Sequence, residues 1–296
     1  MIEIPDRLGW WRETAEGAAW LDRLPAIVAE LADRWSLAIG QPFCDGDVSL
    51  AVPVTRADDT SAVVKVNFPE RETEHEADAL AFWDGFGAAR LLDRADDLGA
   101  LLVERLEPGT QLWTVDDEDE ANKIAAGVLR ALRRTLPDSA PFHSLAGEAA
   151  RWVEEIPLHW EQLGEPFERR LIDEMVTACR DLASAEPAHV LLHQDFHGGN
   201  VLRSGDGWRA IDPKPLAGDP AFDTASLLRD RREELREDLR AERRVRRRLD
   251  LLSEALELDR ERMRLWGIVH ALAWGVDVNG WHESHVACAR LLATAR

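Results

Sequence analysis

The chain has 296 residues, 45% hydrophobic and 31% charged, which is enough for one large globular domain or two lobes with a real core. Its formal net charge of -20 argues against nucleic acid as a partner, because phosphate neutralisation needs a basic surface, and it suits a cationic ligand. The cysteines Cys44, Cys179 and Cys288 contain no CxxC pair, which argues against a disulfide framework or a zinc site and favours a reducing compartment.

The N-terminal part of the chain begins with a predicted helix and continues with predicted strands. Residues 6–35 carry an apolar stripe at helical spacing. Alternating, β-rich stretches predict strands over residues 37–39, 49–55 and 62–67. The first five residues lack the features of a signal peptide, and no apolar run is long enough to span a bilayer. We therefore expect a cytoplasmic protein without a membrane partner.

The loop of residues 44–49 joins the first two of these strands. Gly46, Ser49 and the backbone N–H groups of this loop are suited to lie over the phosphates of a nucleotide. The loop has one glycine rather than a glycine-rich motif, and Asp45 and Asp47 are unusual neighbours for phosphates. A plain hairpin loop is therefore the alternative interpretation.

Lys65 lies inside the apolar strand Ala62–Val66, and it is one of only three lysines in the chain. A lysine in that setting predicts a cation that binds the α/β-phosphates of a nucleotide. The alternative is an edge-strand lysine that prevents aggregation.

Residues 70–85 have the pattern of a helix that carries an acid on its apolar face. Glu76 shares that face with Ala79, Leu80 and Trp83, so we expect Glu76 to pair with Lys65. Glu72 lies on the same face and is the second candidate for this pair. Either acid could instead simply favour the helix dipole.

The end of the N-terminal part and most of the C-terminal part give weaker functional signals. Residues 90–95 and 100–105 predict two more strands, after which the backbone of Glu104 and Leu106 is placed to bind an adenine edge. Helices are predicted over residues 116–136, 147–163, 167–185, 229–248, 259–279 and 283–294. The arginine- and glutamate-rich residues 229–248 are interpreted as a solvated helical face with i,i+4 pairs.

Polar residues are concentrated at the ends of short apolar strands between residues 190 and 212. His193, Asp195 and Asn200 form a His-x-Asp-x-x-x-x-Asn pattern, and Asp212 follows a hairpin, as in the catalytic loop of kinases. In phosphoryl transfer Asp195 would accept the proton of the attacking hydroxyl, while Asn200 and Asp212 would bind Mg²⁺ against the phosphates of ATP. An Asx-rich turn would explain one or two of these residues but not the whole pattern.

Asp219 and Asp223 lie in the loop of residues 213–223 that follows this region, and they are expected to brace that loop or to cap the next helix at Asp223, rather than to take part in catalysis.

These motifs together resemble the aminoglycoside phosphotransferases, in the branch of streptomycin 6-kinases and hydroxyurea phosphotransferases. The resemblance covers roughly residues 10–290 and is carried by these segments: Ala62–Val66, His75–Ala77, Leu101–Leu106, His193–Asn200, Ile211–Pro215 and Gly218–Pro220. It implies an α+β, protein-kinase-like fold with an antiparallel N-lobe and a mainly helical C-lobe. It also implies ATP and Mg²⁺ as cofactors, and it assigns the residues above the same roles.

We expect an N-terminal nucleotide-binding lobe over residues 1–106 and a catalytic and substrate lobe over residues 107–296. The expected reaction is transfer of the γ-phosphoryl group of ATP to a hydroxyl of a cationic small molecule, such as streptomycin. Carboxylates and aromatic walls suit that acceptor. The candidates are Asp230, Trp274, Asp277, Trp281 and Glu283, with Glu154 and Glu155.

Two alternatives remain. Another amino sugar, a hydroxyurea-like compound or an endogenous metabolite would keep the chemistry and change the acceptor. A non-catalytic pseudokinase would usually have lost its base or its metal ligands, whereas Asp195, Asn200 and Asp212 are all present.

Overall fold

A computed structural model describes residues 2–44, 46, 48–137, 139–184, 189–205 and 207–296. The N-terminal part is built around a five-stranded antiparallel sheet in the spatial order β1-β2-β3-β5-β4. Its strands are β1 (Ala38–Ile39), β2 (Ser49–Thr55), β3 (Ser61–Asn67), β4 (Leu91–Ala95) and β5 (Ala100–Glu104). Strand β3 is central, so the side chains that it carries are held from both sides.

A long helix covers one face of this sheet. Helix α1 (Ala15–Trp35) follows a 3-10 helix over Asp6–Glu13. Thr14 separates the two because it is extended, and its hydroxyl oxygen accepts a hydrogen bond from the Gly17 N–H. The predicted helix over residues 6–35 is thus interrupted at its N-cap. The apolar stripe of α1 is buried against the alternating inward residues of β2 and β3.

Helix α2 (Glu76–Trp83) is shorter than predicted. The preceding residues form turns in which the Thr73 hydroxyl donates to the carbonyl oxygens of Phe68 and Glu70, and such side-chain bonds compete with helix formation. The predicted inner face is confirmed, since Glu76 and its apolar partners are all buried. Trp83 Nε1 donates to the carbonyl oxygen of Leu132 at 2.9 Å, which ties α2 to the helical part of the chain.

The C-terminal part is mainly helical, which confirms the predicted α+β class. Its helices are α3 (Glu118–Leu132), α4 (Leu145–Gln162), α5 (Arg169–Ser184), α6 (Ala225–Leu228), α7 (Arg232–Glu237), α8 (Ala241–Leu256), α9 (Arg260–Ala273) and α10 (Glu283–Thr294). Their apolar faces form one continuous core that also includes Leu80 and Trp83 of α2. None of the helices in the described ranges combines the length and apolar character needed to cross a membrane.

Short strands hold the loops that contain the predicted catalytic residues. A three-stranded sheet contains β6 (Pro108–Gln111), β8 (Val201–Ser204) and β9 (Gly207–Ala210), and β7 (Val190–Leu192) pairs with β10 (Leu216–Gly218). The loops after β7 and β9 therefore lie side by side on a rigid base.

The interpretation of residues 229–248 as one solvated helical face is wrong. The segment is divided between α7 and α8, and its end residues Arg229 and Arg248 are buried. Arg248 Nη1 donates to the carbonyl oxygens of Leu228 at 3.2 Å and Asp230 at 2.7 Å, and its Nε donates to Glu118 on α3. The charge pattern cannot reveal these partners, because they are distant in sequence.

We expect Arg248→Ala to lower the free energy of unfolding by about 3 kcal/mol, because several buried acceptors and Glu118 lose their donor. Its neighbour provides a matched control: the Arg247 side chain is 67% exposed and pairs with Asp119, so Arg247→Ala is expected to cost less than about 1 kcal/mol. Urea unfolding of both variants measures the difference. Equal losses of unfolding free energy in the two variants would contradict the inference that the buried contacts of Arg248 stabilise the fold.

Candidate active site

The first part of the site is a buried ion pair between the sheet and α2. Strand β3 places Lys65 and Asn67 on the same face, two residues apart. Lys65 Nζ donates to Glu76 Oε1 at 2.6 Å and to Oε2 at 2.7 Å, and Asn67 Nδ2 donates to Oε2 at 2.7 Å. The structure therefore contains the pair of Lys65 and Glu76 that the sequence predicted, whereas the contact of Asn67 with Glu76 was not predicted.

Asp212 adds a second carboxylate to this cation from the other part of the chain. Its Oδ1 accepts a hydrogen bond from Lys65 Nζ, and its backbone is left-handed, with φ of 60°. Burial by itself would lower the pKa of Lys65, but Asp212 and Glu76 outweigh it and raise the pKa above its usual value. Lys65 is therefore a permanent cation at neutral pH.

The loop after β7 carries Asp195 and is fixed by its own backbone contacts. The N–H groups of His193 and Gln194 donate to Asp223 at 2.9 and 2.8 Å, so Asp223 braces the loop after β7 rather than its own loop of residues 213–223. His193 Nε2 lies 2.9 Å from the carbonyl oxygen of Ile211, which joins this loop to the residue before Asp212.

Asn200 lies against Asp195 as their spacing implies. Its Nδ2 donates to the Asp195 carbonyl oxygen at 3.0 Å and lies 3.5 Å from Asp195 Oδ2. The N–H of Ile211 in turn donates to the Asn200 carbonyl oxygen at 2.9 Å. Asp195, Asn200 and Asp212 therefore belong to one connected loop system.

Lys214 is a site residue that sequence reasoning missed. Its Nζ lies 2.8 Å from Glu72 Oε2. Burial would lower the pKa of Lys214, but the nearby carboxylates of Asp195 and Glu72 raise it above its usual value. Lys214 thus keeps a positive charge near Asp195, and the scarcity of lysine in this chain was a signal that could have identified it. Glu72, the second candidate partner for Lys65, instead pairs with Lys214.

Ser49, Glu104 and Leu106 are the residues predicted to bind the nucleotide from the hairpin and from the connection between the lobes. Ser49 opens β2 directly opposite Asn67. The N–H of Glu104 donates to the carbonyl oxygen of Arg90, while its side chain accepts from the Arg90 N–H and from Arg209, and Leu106 is buried. Asp45 and Asp47 of the hairpin lie outside the described residues.

Trp113 covers the two glycines of the catalytic loop. Its ring stacks on His197 with 5.0 Å between centroids and 10° between planes. A Cβ atom on Gly198 would lie 2.5 Å from Trp113 Cδ1, and one on Gly199 would lie 2.7 Å from Trp113 Cη2. Both positions therefore require glycine as long as the indole is present.

Asp230 completes this contact with both of its carboxylate oxygens. Its Oδ1 accepts from Trp113 Nε1, and its Oδ2 accepts from the Gly198 N–H at 2.9 Å. The N–H of Arg231 also donates to Oδ1, at 3.1 Å. Both carboxylate oxygens of this predicted substrate residue are thus engaged in holding the catalytic loop.

A cleft of about 340 Å³ opens beside Gln194, the neighbour of Asp195. Among the described residues its lining includes Trp274 and Asp277 but not Asp230, Trp281 or Glu283. Trp281 packs near Phe167, and Glu283 pairs with Arg290 at 3.0 Å. Of the seven predicted substrate residues, three therefore line this cleft: Glu155, Trp274 and Asp277.

Charged side chains of α4 and of the segment that leads into α2 dominate this cleft. Glu148, whose side chain is 6% exposed, binds Arg71 at 2.7 Å and Arg151 at 2.6 Å. Glu155 lines the cleft and lies 3.3 Å from Arg151. Its neighbour Glu154 is exposed and lies outside the described lining.

Comparison with known proteins agrees with this geometry. Residues 34–285 match the family described as aminoglycoside/hydroxyurea antibiotic resistance kinase. The chain is 40% identical to a streptomycin 6-kinase of Streptomyces glaucescens, over 90% of this chain and 87% of the relative. It is 37% identical to a hydroxyurea phosphotransferase of Kitasatospora aureofaciens, over 99% of this chain and 84% of the relative.

The fold also matches that of solved small-molecule kinases. A choline kinase from Streptococcus pneumoniae aligns with a TM-score of 0.61 at 14% identity, covering 93% of this chain and 98% of that one. The predicted protein-kinase-like fold is therefore confirmed. The chain is an ATP-dependent phosphotransferase with a small-molecule hydroxyl as acceptor, and it belongs to the aminoglycoside/hydroxyurea antibiotic resistance kinase family.

Proposed function

We propose that this kinase phosphorylates a hydroxyl of a streptomycin-type aminoglycoside. The cleft beside Gln194 carries the proposal, because Glu72, Glu155 and Asp277 offer carboxylates to a cation and Trp274 offers an aromatic wall to a sugar or guanidinium group. The relative named streptomycin 6-kinase supports the same acceptor.

Two guanidinium groups of the chain itself already bind a carboxylate of this cleft, so a cationic acceptor has to use the carboxylates that they leave accessible. Arg71 and Arg151 both reach into the lining of the cleft, and both bind the carboxylate of Glu148 there. A guanidinium group on an acceptor would meet the same kind of surroundings beside Glu155 and Asp277.

The proposed nucleotide side lies around Lys65. The Lys65 ammonium group would bind the α/β-phosphates of ATP, and Glu76 would hold it in position. Ser49 and the adjoining hairpin would cover the phosphates. The backbone of Glu104 and Leu106 would bind the adenine edge. The Glu104 N–H already donates to the carbonyl oxygen of Arg90, so the N–H donor to adenine would come from Leu106.

The residues proposed to bind Mg²⁺ have suitable free atoms. Asn200 donates through Nδ2 to Asp195, so its Oδ1 remains an acceptor. Asp212 uses Oδ1 for Lys65 and has a side chain that is 42% exposed, so Oδ2 is the atom proposed to bind the ion. Both groups are hard oxygen donors, which Mg²⁺ prefers, and the ion would neutralise charge on the phosphates.

Asp195 is the proposed base. The acceptor hydroxyl oxygen forms a bond to the γ-phosphorus, the bond between that phosphorus and the β-phosphate oxygen breaks, and ADP leaves. The hydroxyl proton passes to the Asp195 carboxylate. Asn200 orients this carboxylate through Nδ2, and Lys214 places a positive charge near it.

A second acceptor class is suggested by another relative. The likeness to a hydroxyurea phosphotransferase supports a small neutral acceptor such as hydroxyurea, which would not need the carboxylates of the cleft. ATP consumption measured with streptomycin, other amino sugars, hydroxyurea and no acceptor separates the two. Turnover with streptomycin alone supports our proposal, whereas turnover with hydroxyurea alone contradicts it.

We also propose that the chain divides into lobes of residues 1–106 and 107–296. The end of β5 at Glu104 and the separate apolar core of α1 and the sheet support this division. A cytoplasmic location is proposed as well, since ATP is available there and the free cysteines Cys44, Cys179 and Cys288 suit a reducing compartment.

We expect Lys65→Ala to reduce turnover by about 10²-fold or more, because a preorganised cation facing the phosphates is lost. Lys123 on α3 is exposed and provides the matched control, so Lys123→Ala should leave turnover unchanged. Steady-state ATP consumption with a saturating acceptor checks both. Wild-type turnover by the Lys65 variant would contradict the proposed phosphate contact.

Asp195→Ala is expected to lower kcat by about 10²- to 10⁴-fold, which is the usual contribution of a general base. Binding of ATP should persist, because Asp195 is proposed to contact the acceptor rather than the nucleotide. Calorimetry with ATP and a turnover assay measure the two effects separately. The control Asp22→Ala removes an exposed surface carboxylate and should change neither, and normal turnover by the Asp195 variant would exclude it as the base.

Glu155→Gln should raise the KM for streptomycin about tenfold, because a charge-assisted contact is worth about 1.5 kcal/mol or more. The adjacent Glu154→Gln removes the same charge outside the described lining and should leave KM unchanged. If both variants behave alike, bulk charge rather than the cleft determines binding.

A further inference from the structure

A second cluster of ligand-type side chains lies where the segment that leads into α2 meets the residues just before α4. Glu74, His75 and His143 each offer one ligand atom, and these atoms lie within 4.8 Å of one another. His143 Nε2 is 3.1 Å from Glu74 Oε2, and the two imidazole centroids are 5.3 Å apart. Two imidazoles and one carboxylate form a donor set that favours Zn²⁺ and related transition metals over Mg²⁺.

The surroundings of His75 favour metal binding through its outer nitrogen. His75 Nδ1 lies 3.1 Å from Asp78 Oδ2, and Arg94 Nη1 holds the other oxygen of Asp78 at 2.6 Å. With its proton on Nδ1, the ring presents the lone pair of Nε2. A carboxylate behind a histidine is the usual arrangement that orients a metal-binding imidazole.

The His143 side is held equally firmly. The carbonyl oxygen of His143 accepts from the Ala217 N–H at 2.8 Å, which fixes it to β10. Ser144 then caps α4 by accepting from the Gly147 N–H at 3.0 Å. His143 is therefore attached to β10, which pairs with the strand before the catalytic loop, whereas Glu74 and His75 belong to the segment that leads into α2.

We infer that Glu74, His75 and His143 form a binding site for one Zn²⁺-type ion that joins α2 to the helical part of the protein. Donors around tetrahedral zinc are about 3.3 Å apart when its bonds are about 2.0 to 2.1 Å. Glu74 and His143 are already at that separation, and the ligand atom of His75 lies within 4.8 Å of both. Because His75 directly precedes Glu76, the ion would fix the end of α2 that holds Lys65.

The test is a titration of the full chain, free of any affinity tag, with Zn²⁺ in the presence of millimolar Mg²⁺. We expect one Zn²⁺ per chain and at least tenfold weaker binding in Glu74→Gln and in His143→Ala. Asp78→Asn, which keeps all three ligands, should weaken binding about tenfold through the orientation of His75. Because Glu74 is exposed, its substitution keeps the test valid even if His143→Ala does not fold.

Two controls separate this site from other histidines and from the proposed magnesium ligands. His282→Ala removes an exposed histidine elsewhere and should leave binding unchanged, and Asp212→Asn should do the same. A melting temperature that rises with Zn²⁺ in wild type and Asp212→Asn, but not in Glu74→Gln, supports the site. Undiminished binding in Glu74→Gln, or loss of binding in Asp212→Asn, overturns it.

Discussion

The ammonium group of Lys65 is the point at which the sheet, α2 and the catalytic part of the chain meet. It comes from the central strand of the sheet, one of its carboxylate partners comes from α2, and the other follows β9. A buried cation is costly without such partners, so the three elements are stable together only in an arrangement that satisfies it. Packing brings α2 against the helical core, and this charge sets its position there.

The sequence predicted the positions of site residues whose neighbours are close in the chain. Asp195, Asn200 and Asp212 lie within one short stretch, so their spacing alone brings them to neighbouring loops. Lys65 and Glu76 were predictable for a related reason: each is a charged residue on the apolar face of an element whose period is plain from the sequence. The class of the fold could be predicted from the same periods, since alternating strands precede amphipathic helices.

Sequence reasoning failed where a residue's role depends on a distant partner. Arg248 resembles its solvated neighbours in sequence, but it is buried and donates to the carbonyl oxygens of Leu228 and Asp230 and to Glu118, which lies 130 positions away. Arg71 and Glu148 in the cleft are 77 positions apart. Asp230 was predicted to be a free acid that binds the substrate, whereas its carboxylate accepts hydrogen bonds from Trp113 and Gly198. No periodicity encodes such contacts. The start of α2 was misplaced for a different reason, because the local hydrogen bonds of the Thr73 hydroxyl compete with the helix.

The contact between Trp113 and the catalytic loop has a consequence for how this sequence can vary. The indole fills the space that side chains at positions 198 and 199 would need, and both the indole and the Gly198 amide depend on the same carboxylate, Asp230. A substitution at either glycine is therefore excluded until Trp113 becomes smaller, and a smaller Trp113 removes the ring that stacks on His197 and one of the donors to Asp230. Substitutions at positions 113, 198, 199 and 230 are therefore expected to be strongly non-additive.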